Sequence, residues 1–175
     1  MANRTGLVTL KGNPISLTGD PVEVGQKAPD FTVVANDLSN KTLADFAGKA
    51  VIISSVPSLD TPVCDTETKR FNDEAGKLGD NVVVLTISRD LPFAQKRWCG
   101  ANGASNVQCA SDFRDGSFGQ SYGLVIADGP LAGILARAVI VVDKAGNITY
   151  QEIVPEIAQE PNYDAALEAA KAAAA

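Results

Sequence analysis

The chain contains no histidine, one methionine, one tryptophan and only three cysteines among its 175 residues. Without histidine there can be no Cys-His protease, no Ser-His-Asp hydrolase and no His-containing metal site. Three cysteines in a chain of this length do not make a disulfide scaffold. Cys64, Cys99 and Cys109 stand 35 and 10 residues apart, a poor set for zinc, so no metal is expected. Nothing approaches 18 consecutive apolar residues, so no segment is expected to span a bilayer. Long Lys/Arg clusters are missing as well. Fifteen basic against twenty-one acidic residues give a net charge of −6, which argues against nucleic acid or an anionic membrane as partner. The opening Met1-Ala2-Asn3-Arg4-Thr5-Gly6 lacks the apolar stretch of a secretory signal. A cytoplasmic acidic enzyme or binding domain is the resulting expectation.

What is present suffices for a core: 45% of the residues are apolar, enough to fold without disulfide or metal support. The length fits one domain over 1–175, with no internal repeat or linker. Leu7–Lys11 and Pro14–Leu17 flank Gly12-Asn13 and predict an N-terminal hairpin at about 6–18, with Pro14 at an edge position. Asp30–Ala35 is a short strand candidate and Thr42–Phe46 a helical turn. Ala50–Val56, Asn81–Ser88 and Arg137–Val142 are apolar runs of the kind found in sheets covered on both faces. Helices are expected over Pro62–Leu78 and Leu91–Cys99, the second ending at Gly100. Asn106–Ala110 reads as a weak strand and Phe118–Tyr122 as a short helix. Ile148–Ile153 forms a hairpin with Arg137–Val142, and an Ala-rich helix runs from Tyr163 to the end. Two βα units followed by a β-hairpin and a final helix is the thioredoxin-like order: an α/β fold with a central mixed sheet flanked by helices.

The segment Pro57-Ser58-Leu59-Asp60-Thr61-Pro62-Val63-Cys64 lies between a buried strand and a helix. Cys64 thus falls in the first turn of that helix, where unpaired N–H groups and the positive end of the macrodipole favour a thiolate. The plainer reading is a buried structural cysteine. Cys64-Asp65-Thr66-Glu67 carries no second cysteine, so dithiol exchange within a CxxC pair is excluded and single-thiol attack is favoured. Pro62 suits the first helical position, with Thr61 or Asp60 as cap. Arg137 opens an otherwise apolar strand. If that strand runs antiparallel to the Cys64 strand, Arg137 arrives at the thiol with a permanent charge and several donors. A solvated edge arginine is the alternative, and Arg70 reads as a surface helix residue.

Pro57, Thr61 and Cys64 match the Pro-x-x-x-Thr-x-x-Cys spacing of the peroxiredoxins. Asp90–Gln95, Cys99-Gly100, Asp128–Leu131 and Ala136–Val139 follow in order. With the hairpin, these segments make nearly the whole chain resemble the bacterial thiol peroxidase subgroup, atypical two-cysteine peroxiredoxins. The resemblance implies that Cys64 attacks hydrogen peroxide or alkyl hydroperoxides and becomes a sulfenic acid. It implies that Thr61 and Arg137 activate the site, aided by the N–H groups of Val63 and Cys64, while Pro57 excludes water. Cys99 matches the resolving position, which implies an intramolecular Cys64–Cys99 disulfide recycled by thioredoxin. Bridging two helices would require the first turn of one and the end of the other to unwind. A homodimer is implied; no organic cofactor is.

Cys109 falls in the weak strand and is read as a structural thiol, although it too could reach Cys64. Two competing functions remain open from the residues: a peroxide-sensing redox switch using the same disulfide with little turnover, and an inert binding module of the same fold.

Overall fold

The computed structural model describes residues 2–175. The chain opens on β1 (Arg4–Leu10) and β2 (Asn13–Thr18), then β3 (Thr32–Ala35), β4 (Asn40–Thr42) and a 3-10 turn at Leu43–Phe46. The centre follows as β5 (Ala50–Ser55), α1 (Pro62–Leu78), β6 (Val82–Ser88), α2 (Pro92–Asn102) and β7 (Val107–Ser111). After α3 (Ser117–Ser121) and β8 (Val125–Ile126), β9 (Ala138–Val142) and β10 (Ile148–Ile153) form a hairpin, and α4 (Tyr163–Ala174) closes the chain.

Seven strands make one mixed sheet in the order β10-β9-β5-β6-β7-β3-β4. The parallel β5-β6-β7 core arises from two βα crossovers, and β9 lies antiparallel against the other side of β5. Every residue of β5 and β9 is buried, Ser54 and Ser55 included, as is expected of predominantly apolar strands covered on both faces. One face packs Val51, Ile53, Leu85 and Ile140 against Phe31, Phe118 and Tyr122. The other packs Ile52, Val84, Val139 and Val141 against Phe71, Trp98 and Leu167, and this second cluster also holds Cys64 and Cys109. The fold is the expected thioredoxin-like one.

Several local expectations shift. The hairpin turns at Lys11-Gly12, not Gly12-Asn13: both have positive φ, 50° and 80°, and Leu10 pairs with Asn13. Two successive left-handed residues make a primed turn, whose twist suits the hairpin. Strand β2 is not an edge, because β8 pairs with its far end at Leu17 and Thr18. Pro14 is tolerated because β8 stops short of it and its partner Thr9 turns its own N–H to the Pro155 carbonyl. The short strands β4 and β8 carry no periodic signal and escape the sequence reading. Helix α2 runs past Gly100 to Asn102, and Gly103 provides the left-handed end at φ 60°. Cys99 therefore lies inside the helix, a turn before its end.

Candidate active site

The strand-to-helix connection after β5 is shaped by one carboxylate. Asp90, between β6 and α2, accepts the Ser58 hydroxyl at 2.7 Å, the Leu59 N–H at 2.8 Å and the Ser88 hydroxyl at 2.7 Å. Ser111 Oγ donates to the Asp90 backbone carbonyl. These bonds tie the Pro57–Thr61 loop to the ends of β6 and β7 and so set where α1 begins. Replacing Asp90 with Ala orphans two hydroxyls and an N–H. The expected cost is about 1.5–3 kcal/mol of stability, read by urea denaturation; unchanged stability would show that the loop is fixed by other contacts.

Cys64 is the third residue of α1, fully buried. Pro62 has no N–H to satisfy, and Asp65 is the first to donate to a backbone carbonyl, that of Thr61 at 3.0 Å. Among the described residues the N–H groups of Val63 and Cys64 have no such partner, and both lie at the positive end of the helix. Thr61 stands at the N-cap, but its hydroxyl donates to the Ser58 carbonyl at 2.8 Å and does not cap the helix. The expected side-chain cap is therefore absent. The Ser58–Thr61 turn, closed by the Thr61 N–H on the same carbonyl, draws the hydroxyl back and away from the helix. Pro57 is buried two residues after the end of β5.

Arg137 immediately precedes β9. Because Ala138 pairs with Ser55 at the end of β5, the antiparallel register delivers Arg137 to the Cys64 end of the sheet. It is 2% exposed, so the solvated-edge alternative is overturned. Its Nη1 lies 3.4 Å from Cys64 Sγ, while Nε and Nη2 donate to the Ile157 carbonyl at 3.1 and 2.8 Å. That two-pronged anchor fixes the guanidinium plane. Arg70, by contrast, lies over the Tyr163 ring and pairs with Glu74 on the surface.

Glu67 is the residue sequence reasoning missed. It is fully buried, accepts Arg137 Nη1 at 2.6 Å and receives the Ser54 hydroxyl at 3.0 Å. Burial pushes its carboxyl up to about 7, against the opposing pull of Arg137 and Ser54. One guanidinium nitrogen thus serves both Glu67 and Cys64. The available signal was spacing: positions 64, 67, 68 and 71 make the buried face of α1, with a glutamate in the middle of it.

The other thiols lie across the same core. Cys99, half-buried on α2, has its sulfur 3.3 Å from Cys109 Sγ and 3.8 Å from Asn36 Nδ2. The Cys109 hydrogen bond lowers Cys99 from the usual thiol range, while Cys109 is pushed up by that same bond and by burial. No disulfide joins the three cysteines. Trp98 Nε1 donates to Asp65 at 2.9 Å, linking α2 to the first turn of α1. Leu59, Asp60, Thr61, Pro62, Asp65, Trp98 and Asn102 line an open groove of about 300 Å³ beside this link. Among the described residues no helix is long and apolar enough to cross a membrane.

A buried thiol between a helix N-terminus and a fixed arginine is a site for single-thiol chemistry on a small polar substrate, and the comparisons agree. The Redoxin family matches residues 23–167. Thiol peroxidase of Bacillus subtilis (strain 168) is 54% identical over 165 residues, covering 94% of this chain and 96% of its own. Thiol peroxidase of Mycobacterium tuberculosis (strain H37Rv) is 53% identical over 162 residues, 93% of this chain and 96% of its own. The crystal structure of a peroxiredoxin-like protein from Aquifex aeolicus superposes with a TM-score of 0.91 at 46% identity, covering 97% and 99% of the two chains. The chain belongs to the Redoxin family and, within it, to the peroxiredoxin-type thiol peroxidases.

Proposed function

We propose that the protein reduces hydrogen peroxide and alkyl hydroperoxides to water and alcohols, with Cys64 as nucleophile. The observation that carries this reading is the Arg137 guanidinium 3.4 Å from the Cys64 sulfur, beside the unpaired N–H groups of Val63 and Cys64. The thiolate attacks the distal peroxide oxygen, the O–O bond breaks, and the departing alkoxide takes a proton, leaving a Cys64 sulfenic acid. Ionisation alone is insufficient. A thiol of pKa near 8.5 is already about 3% thiolate at pH 7, so full ionisation gains only roughly 30-fold. The larger share comes from donors aimed at the charge on the leaving oxygen, the role assigned here to Arg137 and the two N–H groups. Thr61, whose one hydroxyl proton goes to the Ser58 carbonyl, acts as acceptor: its free lone pairs take the O–H of the incoming peroxide and hold it in line with the thiol. Pro57 screens the thiol from water.

Cys99 then attacks the sulfenic sulfur, giving a Cys64–Cys99 disulfide and water. In the reduced chain the Cys99 sulfur faces Cys109 and Asn36, so closure requires the first turn of α1 to unwind together with α2 around Cys99. A thioredoxin-type dithiol reduces the bond and restores both thiols, which places the cycle in a reducing compartment such as the cytoplasm. For the homodimer, the exposed Leu91 and Phe93 at the start of α2 offer an apolar face.

Stopped-flow fluorescence of Trp98 tests the cycle, since Trp98 adjoins Cys99 and is bonded to Asp65. A fast change with a rate proportional to peroxide concentration is expected. Cys99→Ser should halt at a sulfenic acid trapped by dimedone, and Cys64→Ser should give no change. Steady turnover with thioredoxin and its reductase supports the enzyme; a single stoichiometric oxidation without turnover makes the chain a redox switch instead.

A further inference from the structure

Cys109 has no part in the cycle above, yet its sulfur lies 3.3 Å from that of Cys99. The two thiols sit on different elements, α2 and β7, ten positions apart in the chain, and both pack into one core cluster. A disulfide S–S bond is about 2.05 Å, so closing this pair requires the sulfurs to approach by only about 1.3 Å. Unlike a Cys64–Cys99 bridge, it starts from two sulfurs already in contact while both helices are intact.

We propose that Cys99 and Cys109 form a second dithiol–disulfide site, which takes over the Cys64–Cys99 bond as a Cys99–Cys109 disulfide. The step rests on the peroxidase reading and is an internal exchange. Cys109 gives its proton to solvent and its thiolate attacks the Cys99 sulfur. The Cys64–Cys99 bond breaks as the Cys99–Cys109 bond forms, and Cys64 departs as thiolate. The chain remains oxidised by two electrons throughout, so no outside oxidant or reductant enters.

Three features favour this direction. The departing thiolate returns to Arg137 and the N-terminus of α1, and a stabilised thiolate is the better leaving group in exchange. Cys109 is held protonated chiefly by Cys99 and by burial; once Cys99 is bound in a disulfide, its hydrogen bond and charge no longer oppose ionisation. Lastly, transfer of the bond lets the unwound turns of α1 and α2 refold. The outcome is a chain that stores one oxidising event at Cys99–Cys109 while Cys64 is free to meet a second peroxide.

Peptide mapping tests this directly, because trypsin leaves Cys99 and Cys109 on the single peptide Trp98–Arg114 and Cys64 on Ala50–Lys69. Reduced protein is treated with one equivalent of hydrogen peroxide without reductant, quenched, alkylated and digested. The expected product is Trp98–Arg114 lacking both thiol hydrogens and carrying no label, with Ala50–Lys69 labelled at Cys64. In Cys109→Ala the two peptides should instead remain cross-linked. Wild-type protein that keeps the cross-link, with Cys109 labelled, overturns the transfer. Cys64→Ser in a glutathione redox buffer separates this inference from the peroxidase reading. There the looped Trp98–Arg114 peptide should form with no peroxide chemistry, and its absence overturns the second site whatever Cys64 does. Failure of peroxide to oxidise Cys64 in the wild type overturns the peroxidase reading instead.

Discussion

Replacing Arg137 with Met is expected to slow the reaction of Cys64 with peroxide by about 10²–10³-fold, the usual cost of losing a donor aimed at a developing oxyanion. The same change is expected to lower stability by about 3–5 kcal/mol, because it breaks a buried ion pair from one side. Both effects have one origin. The guanidinium is 2% exposed, and its three nitrogens serve Ile157, Glu67 and Cys64. Met fills the volume but leaves the Ile157 carbonyl without these donors and Glu67 without its cation. Below pH 7 part of the stability loss is relieved, since a carboxyl already raised to about 7 can take up a proton. Arg137→Lys separates charge from geometry. An ammonium keeps the charge but has no planar fork with which to hold Ile157 and reach both anions, so its rate should fall between those of Met and wild type. Stopped-flow rates and urea denaturation on the three proteins decide the matter. A Met variant destabilised by several kcal/mol, yet within threefold of the wild-type rate, would make Arg137 a structural residue only.

The site was legible where one residue broke a local pattern. Cys64 stood at a helix start behind Thr61-Pro62, and Arg137 was a charge opening an apolar strand; the antiparallel β5–β9 register then brought the two together. Glu67 broke a pattern equally, but a glutamate is so often exposed that its position on the Cys64–Phe71 face carried little weight. Its burial depends on Arg137, seventy residues away, and no local window holds both. Asp90 is similar: its partners Ser58 and Leu59 lie 32 and 31 residues away in a loop that meets it only once the parallel sheet has formed.

Elsewhere the expected end of α2 at Gly100 fell one glycine early. Gly100 and Gly103 could each have ended α2, and only the backbone distinguishes them: Gly103 is left-handed, whereas Gly100 stays helical. That difference moves Cys99 from the end of the helix to its interior. The Cys99–Cys109 contact was hidden for another reason. β7 returns beside α2 and points Cys109 inward, but a five-residue strand with a weak pattern does not reveal which way its cysteine faces.

Glu67 is expected to give the fold a pH dependence opposite to that of an ordinary surface carboxylate. Its carboxyl is raised from 4.5 to about 7, chiefly by burial, with Arg137 and Ser54 pulling the other way and Glu152 adding to the rise. Between those values the folded chain holds a proton that the unfolded chain releases. Stability therefore falls as pH rises through this window; the contribution is fully present below pH 4.5 and lost above about 7. A shift of this size corresponds to about 3 kcal/mol. Comparison with Glu67→Gln isolates it, because Gln keeps the shape and an acceptor for Ser54 while removing the titration, and other titrating groups cancel in the difference. Urea denaturation from pH 5 to 8 should show wild type losing up to about 3 kcal/mol relative to the variant. A difference that stays flat with pH would mean that Arg137 holds Glu67 ionised throughout. The same titration bears on the thiol, since one guanidinium nitrogen faces both side chains. Below pH 7 the neutral carboxyl leaves the Arg137 charge to the Cys64 side of the guanidinium; above it the Glu67 carboxylate competes for that charge. The peroxide rate of Glu67→Gln should then exceed that of wild type by the widest margin at alkaline pH, where wild-type Arg137 is most divided.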